Sequence, residues 1–121
     1  MGATPKSRVT PALRVHDCNG APAAPDGEYV LYWMTAARRL TWNHALDRAV
    51  DHAIELGKPL IVLEALRVGY RWASDRLHRF ILDGMADNDA AAADTPALYF
   101  PYVEPVAGEG SGLLEALAER V

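Results

Sequence analysis

Val30–Leu46 reads VLYWMTAARRLTWNHAL, and the fold turns on how this stretch is divided. Tyr29–Met34 (YVLYWM) is apolar throughout and rich in aromatic and branched side chains. Continuous apolarity suits a strand covered on both faces, as in parallel sheets. Farther on, Leu46, Ala49, Val50, Ala53 and Ile54 recur at helical spacing, one stripe of an amphipathic helix. Thr41 or Asn43 can cap its first turn by accepting from free backbone N–H groups. Gly57, followed by Pro59, ends it. Between strand and helix stand Arg38, Arg39 and Trp42. A plain strand-to-helix turn needs neither two adjacent cations nor a large aromatic.

The alternation continues along the chain. Leu60–Leu66 (LIVLEAL) reads as a second apolar strand. Ser74 or Asp75 caps a second helix whose expected buried face is Leu77, Phe80, Ile81, Gly84 and Met85. Gly84 costs about 1 kcal/mol inside a helix, and close approach to the sheet is its expected reason. After the alanine run Ala90–Ala93, Ala97–Val103 (ALYFPYV) reads as a third strand. Pro101 cannot donate a ladder hydrogen bond, which favours a sheet edge. Ser111 is the expected cap of a short last helix through Leu113–Leu117.

This β-α-β-α-β-α order implies parallel strands joined by right-handed crossovers. The fold class is α/β: a Rossmann-like three-layer α/β/α arrangement with strand order 3-2-1, the first half of a doubly wound sheet. The free side of the first strand would be an open apolar edge. Further chain, a partner or self-association is expected to cover it, and the chain is expected to be truncated. Residues 1–27, with Pro5, Pro11, Pro22 and Pro25, read as an irregular arm that Leu13 and Val15 anchor; residues 28–121 form the domain.

Bulk properties narrow the function. A chain of 121 residues suits one domain. Twelve basic and 16 acidic residues give a charge of −4 without a basic stripe, a poor match to a nucleic-acid backbone. The single cysteine, Cys18, excludes an internal disulfide and a multi-cysteine metal site. No apolar run approaches the roughly 20 residues of a membrane span, and the N-terminus lacks the apolar core of a secretory signal. A cytoplasmic setting is the default expectation.

In open α/β sheets, ligands sit beyond the carboxyl ends of the strands, where strand order reverses. Here that point holds Met34 through Asn43. The candidate cofactor-binding residues are Met34, Arg38, Arg39, Trp42, Asn43 and Glu64. The arginines suit anionic groups beside a helix N-terminus, and Trp42 suits stacking on a flat ring. The same arginines equally suit pairing with carboxylates such as Glu64 or Glu104 at a domain interface. Glu64, in an otherwise apolar strand, must find a partner. Tyr32, Trp33, Tyr99, Phe100 and Tyr102 read as core or interface aromatics. GEGSG (Gly108–Gly112) follows no phosphate-loop pattern and reads as a flexible turn. His44, Asp47 and Asp51 share a helix face that suits solvent better than a metal. No catalytic residue and no metal site is assigned.

The opening stretch resembles the start of the DNA photolyase/cryptochrome family, closest to its class II branch. There a YWM-type strand precedes an arginine and then Asp-Asn-x-Ala-Leu at the first helix. This sequence keeps Tyr32, Trp33, Met34, Arg39, Asn43, Ala45 and Leu46, and departs at Trp42, where the family usually has Asp. GKPLIVLEAL (Gly57–Leu66), SDRLHRFILDGM (Ser74–Met85) and PYVEP (Pro101–Pro105) fit the family's following elements in order. The resemblance covers residues 28–121. It implies an N-terminal α/β domain of the kind that hosts an antenna chromophore, a folate or a deazaflavin. It also implies a C-terminal helical domain, missing here, that binds FAD and damaged DNA. The parent reaction would be light-driven, FAD-dependent repair of cyclobutane pyrimidine dimers, which this chain alone would not perform. Two other readings stay open: a nucleotide-binding module of the universal-stress-protein type, and a non-enzymatic interaction or remnant domain.

Overall fold

The computed structural model describes residues 10–121; the part of the arm in residues 1–9 lies outside the described residues. Three strands, β1 (Val30–Trp33), β2 (Leu60–Leu66) and β3 (Leu98–Val103), alternate with α1 (His44–Leu56), α2 (Asp75–Ala92) and α3 (Leu113–Ala118). Both pairings are parallel, and β2 lies between β1 and β3. This is the expected α/β half-sheet. Pro101 sits on the edge strand β3, opposite Glu64, where its missing N–H costs no ladder bond.

Side chains alternate across the sheet. Met34, Leu60, Val62 and Tyr99 form one core with Ala49 and Ala53 of α1 and Ala92 of α2. Both long helices therefore cover the same face, as two like-handed crossovers require. Small residues on the helices let their backbones approach the sheet. The other face is covered in part by α3, whose Leu113 and Leu114 line a cavity with Trp33, Leu63 and Tyr102.

Local chemistry sets the helix ends. The Asn43 side chain accepts from the Leu46 N–H, and Ser74 accepts from the Leu77 N–H. Gly57 ends α1 at φ 65°, a conformation that glycine adopts without strain. The cap expected from Ser111 is not made. Gly112 precedes α3 without a side-chain cap, and the Ser111 N–H is drawn into a turn with the Gly108 carbonyl.

Three packing expectations change. Val50 and Ile54 belong to the α1 stripe, yet they remain 38% and 74% exposed and border an apolar groove between α1 and α2. On α2 the buried residues are Met85, Asn88 and Ala92, while Phe80 is 76% exposed. The helix is thus rolled away from Leu77 and Phe80. Gly84 does not serve close packing, since a Cβ there would meet no atom within 4 Å. The arm also attaches differently. Leu13 and Val15 are exposed, and polar groups hold the arm instead: Thr10 donates to the His44 carbonyl, and Lys58 donates to the carbonyls of Ala24 and Pro25.

Residues 28–29 and the end of α3 meet at one corner. The Glu28 N–H donates to the Arg120 carbonyl at 2.6 Å, and the Tyr29 hydroxyl donates to the Leu117 carbonyl.

Candidate functional site at the strand ends

Glu64 lies near the end of the central strand and is 1% exposed. An ionised carboxylate there is costly unless several donors surround it. Three elements bring them. Arg38, from the loop after β1, reaches Oε2 at 3.2 Å. Asn88, from α2, donates to Oε1 at 2.8 Å, and Tyr99, from β3, donates to the same oxygen at 2.6 Å. Arg38 also donates to the Ala65 carbonyl, and the Asn88 amide lies 3.3 Å from the Arg38 carbonyl. The two adjacent arginines therefore point to different tasks. Arg38 turns inward and ties the strand-end loop to the sheet. Burial first, then the hydrogen bond to Glu64 and its charge, push the Tyr99 phenol well above its ordinary value.

Arg39 turns outward. Its guanidinium donates to the carbonyls of Thr41 and Trp42, at 3.1 Å each. Trp42 itself stands at φ 52° with its side chain 74% exposed. A bulky residue in the left-handed region is an outlier. Ala37, at φ 49°, is a second such turn in the same loop. What holds this conformation is Asn43, 5% exposed. Its amide nitrogen lies 2.9 Å from the Tyr32 hydroxyl, 3.1 Å from the Arg39 carbonyl and 3.3 Å from the Ala37 carbonyl. Its oxygen caps α1. One side chain thus joins strand, loop and helix.

The six candidate residues consequently divide. Met34 is fully buried beneath the loop, and Asn43 and Glu64 are buried with their polar atoms engaged within the chain. Arg38 is committed to Glu64. Arg39 and Trp42 are the two that face outward. Beside them Trp42, Asn43, His44 and Asp47 border a small cavity of about 290 Å³. A larger cavity, about 380 Å³, opens at the strand ends on the α3 side, with Trp33, Tyr102, Arg67 and Gly110 among its walls. Among the described residues no group of three or more His, Cys, Asp or Glu side chains is placed to hold a metal.

Glu104 pairs with neither Arg38 nor Arg39. It is 6% exposed and accepts from the backbone N–H groups of Val68 and Gly110. These donors, Gly110 first, hold its carboxyl below the usual carboxylate value. The glycine turn Gly108–Gly112 is thereby tied through its Gly110 amide to an internal anion.

The roles of Asn88 and Tyr99 escaped sequence reasoning. A signal existed for Asn88, because it interrupts the stripe Ile81, Met85, Asn88 and Ala92 with a side chain that needs buried partners. No comparable signal marks the Tyr99 hydroxyl, which reads as one more strand aromatic.

Among the described residues no helix is long and apolar enough to cross a membrane. No family model matches the sequence, and no solved structure matches it. Among curated proteins, the chain is similar to a deoxyribodipyrimidine photo-lyase of Methanothermobacter thermautotrophicus (strain Delta H), with 42% identity over 76 residues. The matched segment is 63% of this chain and 17% of that protein. The chain is therefore related in sequence to a photolyase, over about a sixth of that relative's length.

Proposed function

We propose that the chain is the N-terminal antenna-type α/β domain of a photolyase-like protein, closest to the class II branch. The parent protein carries out light-driven, FAD-dependent repair of cyclobutane pyrimidine dimers in DNA. The observation that carries this reading is the 42% identity to a photo-lyase over 76 residues. FAD and the damaged DNA belong to a C-terminal helical domain joined to this one, and no residue of this chain is assigned to either. In the parent, reduced FAD would lend the electron that splits the dimer and regain it afterwards, and an antenna would supply captured light.

Within this domain Met34, Arg38, Asn43 and Glu64 fix the strand-end loop, and Arg39 and Trp42 are the contact residues. They meet either an antenna chromophore, a folate or deazaflavin, or the helical domain. Arg39 and Trp42 suit a flat anionic ring beside the small cavity that Trp42 borders, and Trp33 and Arg67 repeat that chemistry in the walls of a separate strand-end cavity of about 380 Å³. That volume lies in the range of small-molecule sites, roughly 300–1,000 Å³. The nucleotide-module alternative is less well supported, because the Glu104 carboxylate already takes the Gly110 amide and would repel a phosphate at the glycine turn. An interaction or remnant domain is the other alternative.

The test is the intact mass of the native protein, followed by light-dependent repair of a dimer-containing oligonucleotide. A mass near 50 kDa, roughly what an added helical domain gives, with repair in light alone, is expected. A native mass of 13.2 kDa, that of this chain, would leave the interaction or remnant reading in its place.

A further inference from the structure

Helix α2 carries its charges against its own dipole. Arg76 and Arg79 lie in its first turns, Asp87 and Asp89 in its last, and no basic residue stands in the last turn. Free N–H groups at a helix start favour anions, and free carbonyls at its end favour cations. Asp75 alone follows that preference in the first turn. The order of the other charges is one that the helix's own dipole does not favour.

Arg76, Phe80, Gly84 and Asp87 recur at intervals of four, four and three residues. At ~3.6 residues per turn they share one face. It is not the face of the buried Met85, Asn88 and Ala92. Phe80 is 76% exposed, and a Cβ on Gly84 would meet nothing within 4 Å. The face therefore offers a large apolar knob and, one turn later, a notch. A glycine inside a helix weakens it, and no contact within the chain accounts for this one. Neither Arg76 nor Asp87 takes part in an ion pair among the described residues.

The geometry points to a second copy of this chain as the occupant of that face. The two α2 helices run antiparallel about a two-fold axis between Phe80 and Gly84. Such a contact is isologous, so each pairing occurs twice. Phe80 of each copy enters the Gly84 notch of the other, and Arg76 of each stands opposite Asp87 of the other. The reversed charge order becomes complementarity between copies. A helix of 18 residues is about 27 Å long, so the interface is small and the dimer weak and concentration-dependent. The inference does not rest on the photolyase reading, although Arg76, Phe80 and Gly84 lie in a segment that carries that resemblance.

The experiment is sedimentation equilibrium of the 121-residue chain from micromolar to millimolar concentration, with α2 variants. The expected result is a monomer–dimer equilibrium that Gly84→Leu weakens at least roughly ten-fold, about 1.4 kcal/mol. The open space at Gly84 lets that variant fold, and circular dichroism checks that it does. Arg76→Asp and Asp87→Arg should each weaken the dimer alone. An equimolar mixture of the two, or the double variant, should restore it, because opposite charges again face each other. A monomer at every concentration overturns the proposal and leaves the α2 face to the helical domain of the parent protein. So does association that ignores Gly84→Leu, and so does failure of the mixture and the double variant to recover it.

Discussion

The Tyr99 hydroxyl donates to Glu64 Oε1 at 2.6 Å, and this bond fixes the edge strand β3 to the central strand through side chains as well as backbone. Asn88 donates to the same oxygen, so α2 is held in the same bond cluster. Removing Glu64 strands the Tyr99 hydroxyl and takes one bond each from Asn88 and Arg38. Glu64→Ala is expected to cost about 3–5 kcal/mol of stability, the scale of breaking a buried charge pair. Arg38→Ala should cost less, roughly 1–3 kcal/mol, because its side chain is 28% exposed and leaves Glu64 two other donors. Urea unfolding of both variants checks the order.

Tyr99→Phe removes one hydrogen bond to a charged group and should cost about 1.5–3 kcal/mol near neutral pH. The raised phenol value adds a pH signature. In the unfolded chain a tyrosine ionises near ~10. The stability it brings is complete below that value and falls as pH climbs from there toward the raised folded one. Denaturation of native protein and Tyr99→Phe at several alkaline pH values should show their difference shrinking above about pH 10. A difference that stays constant counts against the ionisation.

Glu104 predicts the opposite limb. Its value is lowered by the Gly110 and Val68 amides. Its contribution is therefore present above the unfolded carboxylate value and disappears as pH falls through the lowered one. The loops at residues 67–69 and 108–112 should lose amide protection together in acid. Hydrogen exchange at Val68 and Gly110, followed across the acid range, is the measurement. Glu104→Gln should flatten the acid dependence at both amides.

Trp42→Asn should leave the fold intact and stabilise it, by up to about 1 kcal/mol, because asparagine accepts the left-handed conformation that the indole is forced into. Asp, the residue that the photolyase resemblance leads one to expect here, shares that tolerance. If Arg39 and Trp42 form the contact surface, Trp42→Asn and Arg39→Ala in the full-length parent should lower antenna content or domain coupling. Absorbance of bound chromophore and the yield of energy transfer read the two apart. Loss of chromophore identifies an antenna contact, and loss of coupling with full chromophore identifies the domain contact.

Asn43→Ala should be the most damaging loop substitution. It removes a cap worth about 1 kcal/mol and takes the Asn43 amide from the carbonyls of Arg39 and Ala37, of which Ala37 keeps the Arg39 N–H. Thermal unfolding should show a larger loss than for Ser74→Ala, where the same kind of cap stands alone.

Backbone architecture was legible because it rests on local patterns. LIVLEAL coincides with β2, Gly57 ends α1, and Ser74 caps α2. The boundaries of β1 and β3 moved by a residue or so, as frayed strand ends do. The roll of α2 was not legible. Leu77, Phe80, Ile81 and Met85 satisfy the helical period equally well, and only tertiary packing selects which flank is buried. The strand-end site was half legible. A carboxylate in an apolar strand announced a partner, and Arg38 was a named option. Whether Arg39 would follow it inward depended on the left-handed turns at Ala37 and Trp42, which no residue type there signals.

The Glu104 carboxylate sits between the amides of Val68 and Gly110, and so clasps the loop after β2 to the glycine turn. In effect the protein carries its own competitive inhibitor, tethered at a high local concentration. A free phosphate or nucleotide must displace this covalently attached rival before it can bind those amides. Glu104→Ala would remove the rival and leave the Val68 and Gly110 amides to water, with the two loops no longer joined by a shared acceptor.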